Sequence, residues 1–184
     1  RRVLVLGASS GFGLASRIAL TFGAGADTRG ISFERGPSDK GLGSAGWYNN
    51  IWFRQAAEQE GRIAINLIGD AFSDALRQQA IDCIRQQLGQ VDLVIYSLAS
   101  GLRVLPDGTQ VRSVLKTTGQ PFSGWGLDLE QDTLVQQSLA PATPEEIRDT
   151  VTVMGGEDWQ LWLQALQQAD CLAPGVQTVA YSYI

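Results

Sequence analysis

Four consecutive apolar residues, Val3-Leu4-Val5-Leu6, run straight into Gly7-Ala8-Ser9-Ser10-Gly11-Phe12-Gly13. An unbroken apolar run of this length reads as a strand covered on both faces, as in a parallel sheet. Beyond the glycines, Leu14, Ala15, Ile18, Ala19 and Phe22 recur at helical spacing, and Gly23 and Gly25 end the segment. Strand, glycine turn and helix in immediate succession commit the chain to an α/β arrangement.

The same alternation continues. Asp27 to Glu34 reads as a second strand around Ile31 and Phe33, and Arg35 to Gly46 as a long Gly/Ser-rich loop holding Pro37, Asp39 and Lys40. A helix over Trp47 to Gln59 and a strand over Arg62 to Leu67 follow. Ser73 precedes an amphipathic stretch with Leu76, Ala80, Ile84 and Leu88 on one face, ended by Gly89, and Val91 to Tyr96 is the next buried strand. Between Gly101 and Pro141 the periodicity weakens: Pro106-Asp107-Gly108 suggests a hairpin turn and Gly124-Trp125-Gly126 an irregular point, so residues 101–141 read as an insertion. Thr143-Pro144-Glu145-Glu146 is a capping-box helix start, running to about Val153. Asp158 to Cys171 reads as a last helix with Trp159, Trp162, Leu163 and Leu166 on its apolar face, and Gln177 to Ile184 is strand-like. The expected fold is a doubly wound parallel sheet in a single partial domain over residues 1–184, incomplete at its C-terminal side.

Composition removes whole classes of chemistry. Histidine is absent, which excludes Ser-His-Asp and Cys-His nucleophilic systems and every His-based metal site, leaving acid–base work to Tyr, Lys, Asp or Glu. A net charge of -5 argues against a nucleic-acid partner. No run of 18 apolar residues suggests a membrane span, so the expected location is the cytoplasm. Cys83 and Cys171 fall in helical patterns and read as small buried hydrophobes. The chain opens on Arg1-Arg2 rather than Met and stops inside a strand-like run, as expected of a piece of a longer polypeptide.

The glycines are spaced G-x-x-x-G-x-G between a strand and a helix. Such a turn lets a pyrophosphate approach backbone N–H groups at the positive end of a helix, and Ser9 and Ser10 add hydroxyl donors. Glu34, at the end of the second strand, suits the adenosine ribose hydroxyls and repels a 2′-phosphate, which predicts NAD(H) over NADP(H), although Arg35 beside it is a residue that can accommodate a phosphate. Asp70-Ala71 and Leu98-Ala99 follow the third and fourth strands at the ligand-binding edge of the sheet; Asp70 suits the adenine amino group or a helix N-cap, roles that can coexist. Trp159 and Trp162 read as core or interface residues and Trp47 as an anchor for the loop before it.

Gly7 to Arg17, Ile31-Ser32-Phe33-Glu34, Ala45-Gly46-Trp47-Tyr48-Asn49, Gly69 to Ser73, Val94 to Ser100, Met154 to Trp159 and Ala180-Tyr181-Ser182-Tyr183-Ile184 together resemble the FabV-type trans-2-enoyl-CoA/enoyl-ACP reductases, large relatives of the short-chain dehydrogenases. The resemblance spans essentially the whole chain. It implies a Rossmann, short-chain-dehydrogenase-like fold and NADH-dependent reduction of the C2=C3 bond of an enoyl thioester in fatty acid synthesis, with enoyl-CoA or enoyl-acyl-carrier-protein as substrate and a monomeric state. Carried over, the cofactor contacts fall on Gly7, Ala8, Ser9, Ser10, Gly11, Phe12, Phe33, Glu34, Asp70, Ala71, Leu98 and Ala99, and the substrate contact on Tyr183. Phe12 stands where the family commonly has Tyr. The family's catalytic Tyr and Lys lie beyond the Tyr-Ser-Tyr-Ile run and are not among these residues; the lysines here are Lys40 and Lys116. Arg103 and Arg112 are the candidates for a basic patch toward CoA phosphates. A short-chain dehydrogenase acting on a ketone or alcohol, or a nucleotide-binding protein without catalysis, are the competing readings.

Overall fold

The computed structural model describes residues 1–181. The chain divides into two compact units, one made of Arg1–Ala99 and Trp159–Ile184, the other of Ser100–Asp158.

The first unit is built on a five-stranded sheet in the order β3-β2-β1-β4-β9, every neighbouring pair parallel. Its strands are β1 (Arg2–Leu6), β2 (Asp27–Ser32), β3 (Ala64–Ile68), β4 (Val91–Tyr96) and β9 (Leu172–Ala180). Helices α1 (Gly11–Ile18, extended by a wider turn over Ala19–Gly23), α2 (Ala45–Gln59), α3 (Asp74–Gln87) and α5 (Glu157–Gln168) complete it. Residues 3 to 6 of β1 are all fully buried because both faces are covered. Leu4 and Leu6 join Ile31, Ile84, Trp162 and Leu166 on the side of α3 and α5, whereas Val3 and Val5 join Ala8, Ala26 and Ile95 on the other. The uninterrupted apolar run is thus the signature of a central strand.

Helix α1 departs from its sequence pattern. Ile18 and Phe22 are 44% and 43% exposed, while Gly13, Arg17 and Thr21 are buried. The Arg17 guanidinium carbon lies over the Phe53 ring, 4.1 Å from its centroid, and the side chain donates to Thr28 Oγ1 (3.1 Å), Asn66 Oδ1 (2.6 Å) and the Ile65 carbonyl (3.0 Å). Burial, with the nearby Arg29 charge, pulls its guanidinium down to about 9. Periodicity assigns an arginine to the wet side of a helix; here its hydrogen bonds and a ring face replace water. Gly30 makes the room, since a Cβ there would collide with the guanidinium. Arg29, also fully buried, donates to Cys83 Sγ (2.7 Å), the Cys83 carbonyl (3.0 Å) and Gln87 Oε1 (3.1 Å) on α3.

Smaller differences have local causes. β2 ends at Ser32 rather than Glu34, leaving Phe33 81% exposed. Cys171 follows α5 instead of lying within it; it is fully buried and burial pushes its thiol up, while Cys83 is half-buried. β9 begins at Leu172, earlier than the strand-like run, because a register shift opposite Val91 and Leu93 lets the chain continue past Pro174 and Gly175. No helix among the described residues is long and apolar enough to cross a membrane.

In the second unit, β5 (Leu102–Val104) and β6 (Gln110–Arg112) form the hairpin expected around Pro106-Asp107-Gly108. Gly124-Trp125-Gly126 is not irregular: it lies in the middle of β7 (Phe122–Asp128), which pairs residue for residue with β8 (Thr133–Leu139). Two glycines in one strand and Gln136-Gln137 in the other mask the alternation from which a strand is read. α4 (Pro144–Met154) starts with the full capping box of Thr143 and Glu146, and Lys116 Nζ lies 2.5 Å from Glu146 Oε1. Arg103 is buried, donating to the Thr152 carbonyl (2.8 Å) with Glu157 at 3.8 Å, so it is a structural residue and not part of an exposed basic patch; Arg112 is exposed.

β1 is tied to β4 by a bidentate pair, Arg2 Nη2 to Asp92 Oδ1 (2.8 Å) and Arg2 Nε to Asp92 Oδ2 (3.2 Å), reinforced by the Arg2 amide (2.8 Å). The guanidinium holds the Asp92 carboxyl down to about 2. A depressed acid contributes stability above its unfolded pKa of about 3.9 and loses it as pH falls through the folded value. Asp92→Asn is expected to lower stability in urea by at most about 1 kcal/mol at pH 6, because the pair is partly exposed. That difference from the unmodified chain is expected to close between pH 4 and pH 2; a difference independent of pH would contradict the ion pair.

Candidate functional site

The turn after β1 is shaped by backbone crowding. The Gly7 and Ala8 amides both donate to the Ile31 carbonyl at 2.9 Å, and Gly7 has a φ of 83°, with the Ser97 carbonyl where a side chain would stand. Gly13, one turn into α1, presses against the Gly7 carbonyl so closely that no Cβ fits. Between them Gly11 has a φ of 53° and open space on its Cβ side. One glycine thus makes the turn, one leaves the backbone approachable, and one seats the helix on the strand, the division of labour of a dinucleotide-binding turn.

Ser10 precedes α1 without capping it through its side chain, and the first turn of α1 holds no acid. The amides at that end, with the positive end of the helix dipole, are left to an incoming anion. They border a cleft of about 320 Å³ that gathers Gly7, Ser9, Ser10, Gly11 and Phe12 from the turn, Phe33 and Glu34 after β2, and Leu98 and Ala99 after β4, together with Ser32 and Ser97. Nine of the sequence-predicted positions meet in one place. Ala8 lies fully buried beneath the turn.

Asp70 and Ala71 do not line this cleft. Asp70 Oδ1 accepts from the Phe72 amide (2.9 Å), and its carbonyl from Ser73; Ser73, not Asp70, is the N-cap of α3, accepting from the Leu76 amide at 3.3 Å. The buried Ala71 carbonyl accepts from the Trp162 indole (3.1 Å), so the core tryptophan of α5 also fixes the loop after β3. Tyr183 lies outside the described residues.

Sequence reasoning passed over several residues that hold the site. Glu34 Oε1 accepts from Ser9 Oγ at 2.5 Å and Oε2 from Ser44 Oγ. Asn49 of α2 donates to the Ser9 carbonyl (2.9 Å), knitting the helix to the glycine turn. Trp47, by contrast, reads from the sequence as an anchor for the loop before it, and its ring does lie against Gly36. The Tyr181 phenol sits 2.6 Å from Ser16 Oγ and its ring 5.8 Å from that of Phe12. The signal for Ser44 and Asn49 was their place flanking the start of α2, visible only once Glu34 was known to face it.

Fold and cleft together define a doubly wound α/β protein of the dinucleotide-binding class. A family described as the NAD(P)H binding domain of trans-2-enoyl-CoA reductase matches residues 1–39, and the trans-2-enoyl-CoA reductase catalytic region matches residues 41–184. The chain belongs to the trans-2-enoyl-CoA reductase family. It is 58% identical to an enoyl-[acyl-carrier-protein] reductase [NADH] 2 of Vibrio vulnificus over all of this chain and 47% of that protein. The trans-2-enoyl-CoA reductase of Treponema denticola, solved in complex with NAD, superposes with a TM-score of 0.94 at 47% identity, over 100% of this chain and 46% of that one. A short chain dehydrogenase of Burkholderia cenocepacia shares the fold at 19% identity and a TM-score of 0.53 over 98% of this chain and 54% of its own. The chain spans about half the length of these trans-2-enoyl-CoA and enoyl-[acyl-carrier-protein] reductases.

Gly13→Ala forces α1 off β1. We expect a loss of about 3 kcal/mol in urea unfolding, the upper end of an overpacking cost, because the atom met is backbone. Gly11→Ala, whose cost is only its backbone conformation, is expected to lose about 1 kcal/mol. Equal losses would show that the two glycines do not have separate roles.

Proposed function

We propose that this chain forms the NADH-binding half of a reductase that adds hydrogen across the C2=C3 double bond of trans-2-enoyl thioesters carried on coenzyme A or acyl carrier protein. The observation that carries the reading is Ser9, which belongs to the glycine turn and also holds Glu34, in a chain of the trans-2-enoyl-CoA reductase family.

The uncapped end of α1 and the open side of Gly11 suit a pyrophosphate. Glu34, an acceptor only, suits ribose hydroxyls and disfavours a phosphate. Leu98 and Ala99 give the cleft apolar lining, and Phe12 adds an exposed ring. Asp70 and Ala71 have the adenine end as their role in this reading. When bound, the nicotinamide supplies hydride for C3 of the enoyl group. The Tyr183 phenol has the role of donating to the thioester carbonyl, where negative charge develops as hydride arrives. Neither Lys40 nor Lys116 follows a tyrosine at Tyr-x-x-x-Lys or Tyr-x₈-Lys spacing. In this reading proton transfer belongs to the Tyr and Lys that the family resemblance implies, which are not among these 184 residues. Cytoplasmic location and a monomeric state belong to the same reading through the family resemblance.

NADH oxidation with crotonyl-CoA, followed by absorbance with the product of the complete gene, tests this reading. Turnover with NADH well above that with NADPH is expected; a folded product that binds NADH and turns over neither would refute the reductase assignment. The purified 184-residue chain is expected to bind NADH without appreciable turnover.

A further inference from the structure

Ser44 stands where an N-cap stands, directly before α2 with extended backbone angles (φ -66°, ψ 153°), yet its side chain does not cap the helix. Its hydroxyl donates instead to Glu34 Oε2. The other carboxylate oxygen takes the Ser9 hydroxyl. Directly beneath lies Gly46, in the first turn of α2, where any side chain would overlap the carboxylate. An anionic group is therefore seated over the end of a 15-residue helix whose own first turn carries no acid, between two hydroxyl donors. This is the donor set and the dipole of an anion site.

The loop before α2 is closed onto the same spot. The Ser44 amide donates to the Arg35 carbonyl (2.9 Å), and the Arg35 amide donates to Ser44 Oγ (3.1 Å). The hydroxyl that serves Glu34 is thus itself oriented by backbone, and the backbone of Arg35, whose side chain is exposed, is fixed beside the seat. Each part has an independent reason to be there, and together they form a cradle that Glu34 fills from within the chain.

We propose that this cradle is a latent 2′-phosphate seat, filled by the Glu34 carboxylate, and that Ser44 is a specificity-determining residue of the cofactor site. The inference rests on the dinucleotide reading given above. With Glu34 in place, a ribose hydroxyl finds an acceptor whose oxygens retain free lone pairs, whereas a 2′-phosphate meets like charge in a filled space. With Glu34 removed, Ser9, Ser44, the first turn of α2 and Arg35 are the groups a phosphate accepts from. Selectivity for NAD(H) is then a property of occupancy, and Gly46 is what allows the carboxylate to lie that low.

The test is calorimetric titration of the protein with 5′-AMP and with 2′,5′-ADP, which differ by the 2′-phosphate alone. The unmodified protein is expected to bind 5′-AMP more tightly. Glu34→Ala is expected to strengthen 2′,5′-ADP binding about tenfold or more, and Ser44→Ala added to it to remove about tenfold, the worth of one hydrogen bond to a charged group. Glu34→Gln, which fills the cradle without its charge, is expected to gain clearly less than Glu34→Ala. No gain in Glu34→Ala, an equal gain in Glu34→Gln, or indifference of the gain to Ser44→Ala would each overturn the seat while 5′-AMP binding persists. Failure of the folded, unmodified protein to bind 5′-AMP at all would overturn the dinucleotide reading and this inference with it.

Discussion

The first unit depends on how closely the start of α1 can approach the end of β1. With Gly13 against the Gly7 carbonyl and Gly7 against Ser97, three pieces of backbone meet where side chains ordinarily keep them apart. That approach aims the uncapped amides of α1 into the cleft and sets the ends of β1 and β4 side by side. The same geometry brings Ser9 within reach of Glu34, so the phosphate turn and the acid after β2 form one hydrogen-bonded object. A Cβ at either glycine would separate them, because close-packed interiors do not absorb an extra atom without a shift elsewhere.

Behind the site, the sheet is locked by polar groups rather than by hydrocarbon alone. Arg17 on one side of β2 and Arg29 on the other both lie at zero exposure, each answered by neutral acceptors. Removing water from a guanidinium is costly unless its hydrogens find partners, and the partners here come from β2, β3 and α3. Such directional hydrogen bonds, made by all three guanidinium nitrogens of Arg17 and by the two terminal nitrogens of Arg29, fix one arrangement of neighbouring elements where apolar contacts alone would tolerate several. The bidentate Arg2–Asp92 pair does the same at the opposite end of β1, and the Trp162 indole does so between α5 and the loop after β3.

The elements and their order were legible because they rest on local rules. Burial on both faces writes an apolar run into β1, and Thr143-Pro144-Glu145-Glu146 specifies its own cap. Legibility failed where a distant partner reversed a local preference. The amphipathic pattern of α1 pointed Ile18 and Phe22 inward, but Gly30, Phe53 and Asn66 together made a better place for Arg17. Gly124 and Gly126 argued against a strand, yet β8 supplies a pairing partner over the whole of β7. Arg103 was read as a surface charge and is buried against α4.

For the candidate site the division is similar. Glycine spacing and the acid after the second strand were readable because each answers a local demand: a left-handed turn, an uncapped helix end, an acceptor at a strand terminus. The tertiary structure alone decided that Ser44 turns away from its own helix to hold that acid, that Asp70 shapes a turn rather than capping α3, and that Arg17 is dry. The physical reason is common to all three. A side chain's best hydrogen-bond partner is chosen among everything within reach in space, and sequence spacing records only the candidates on its own segment.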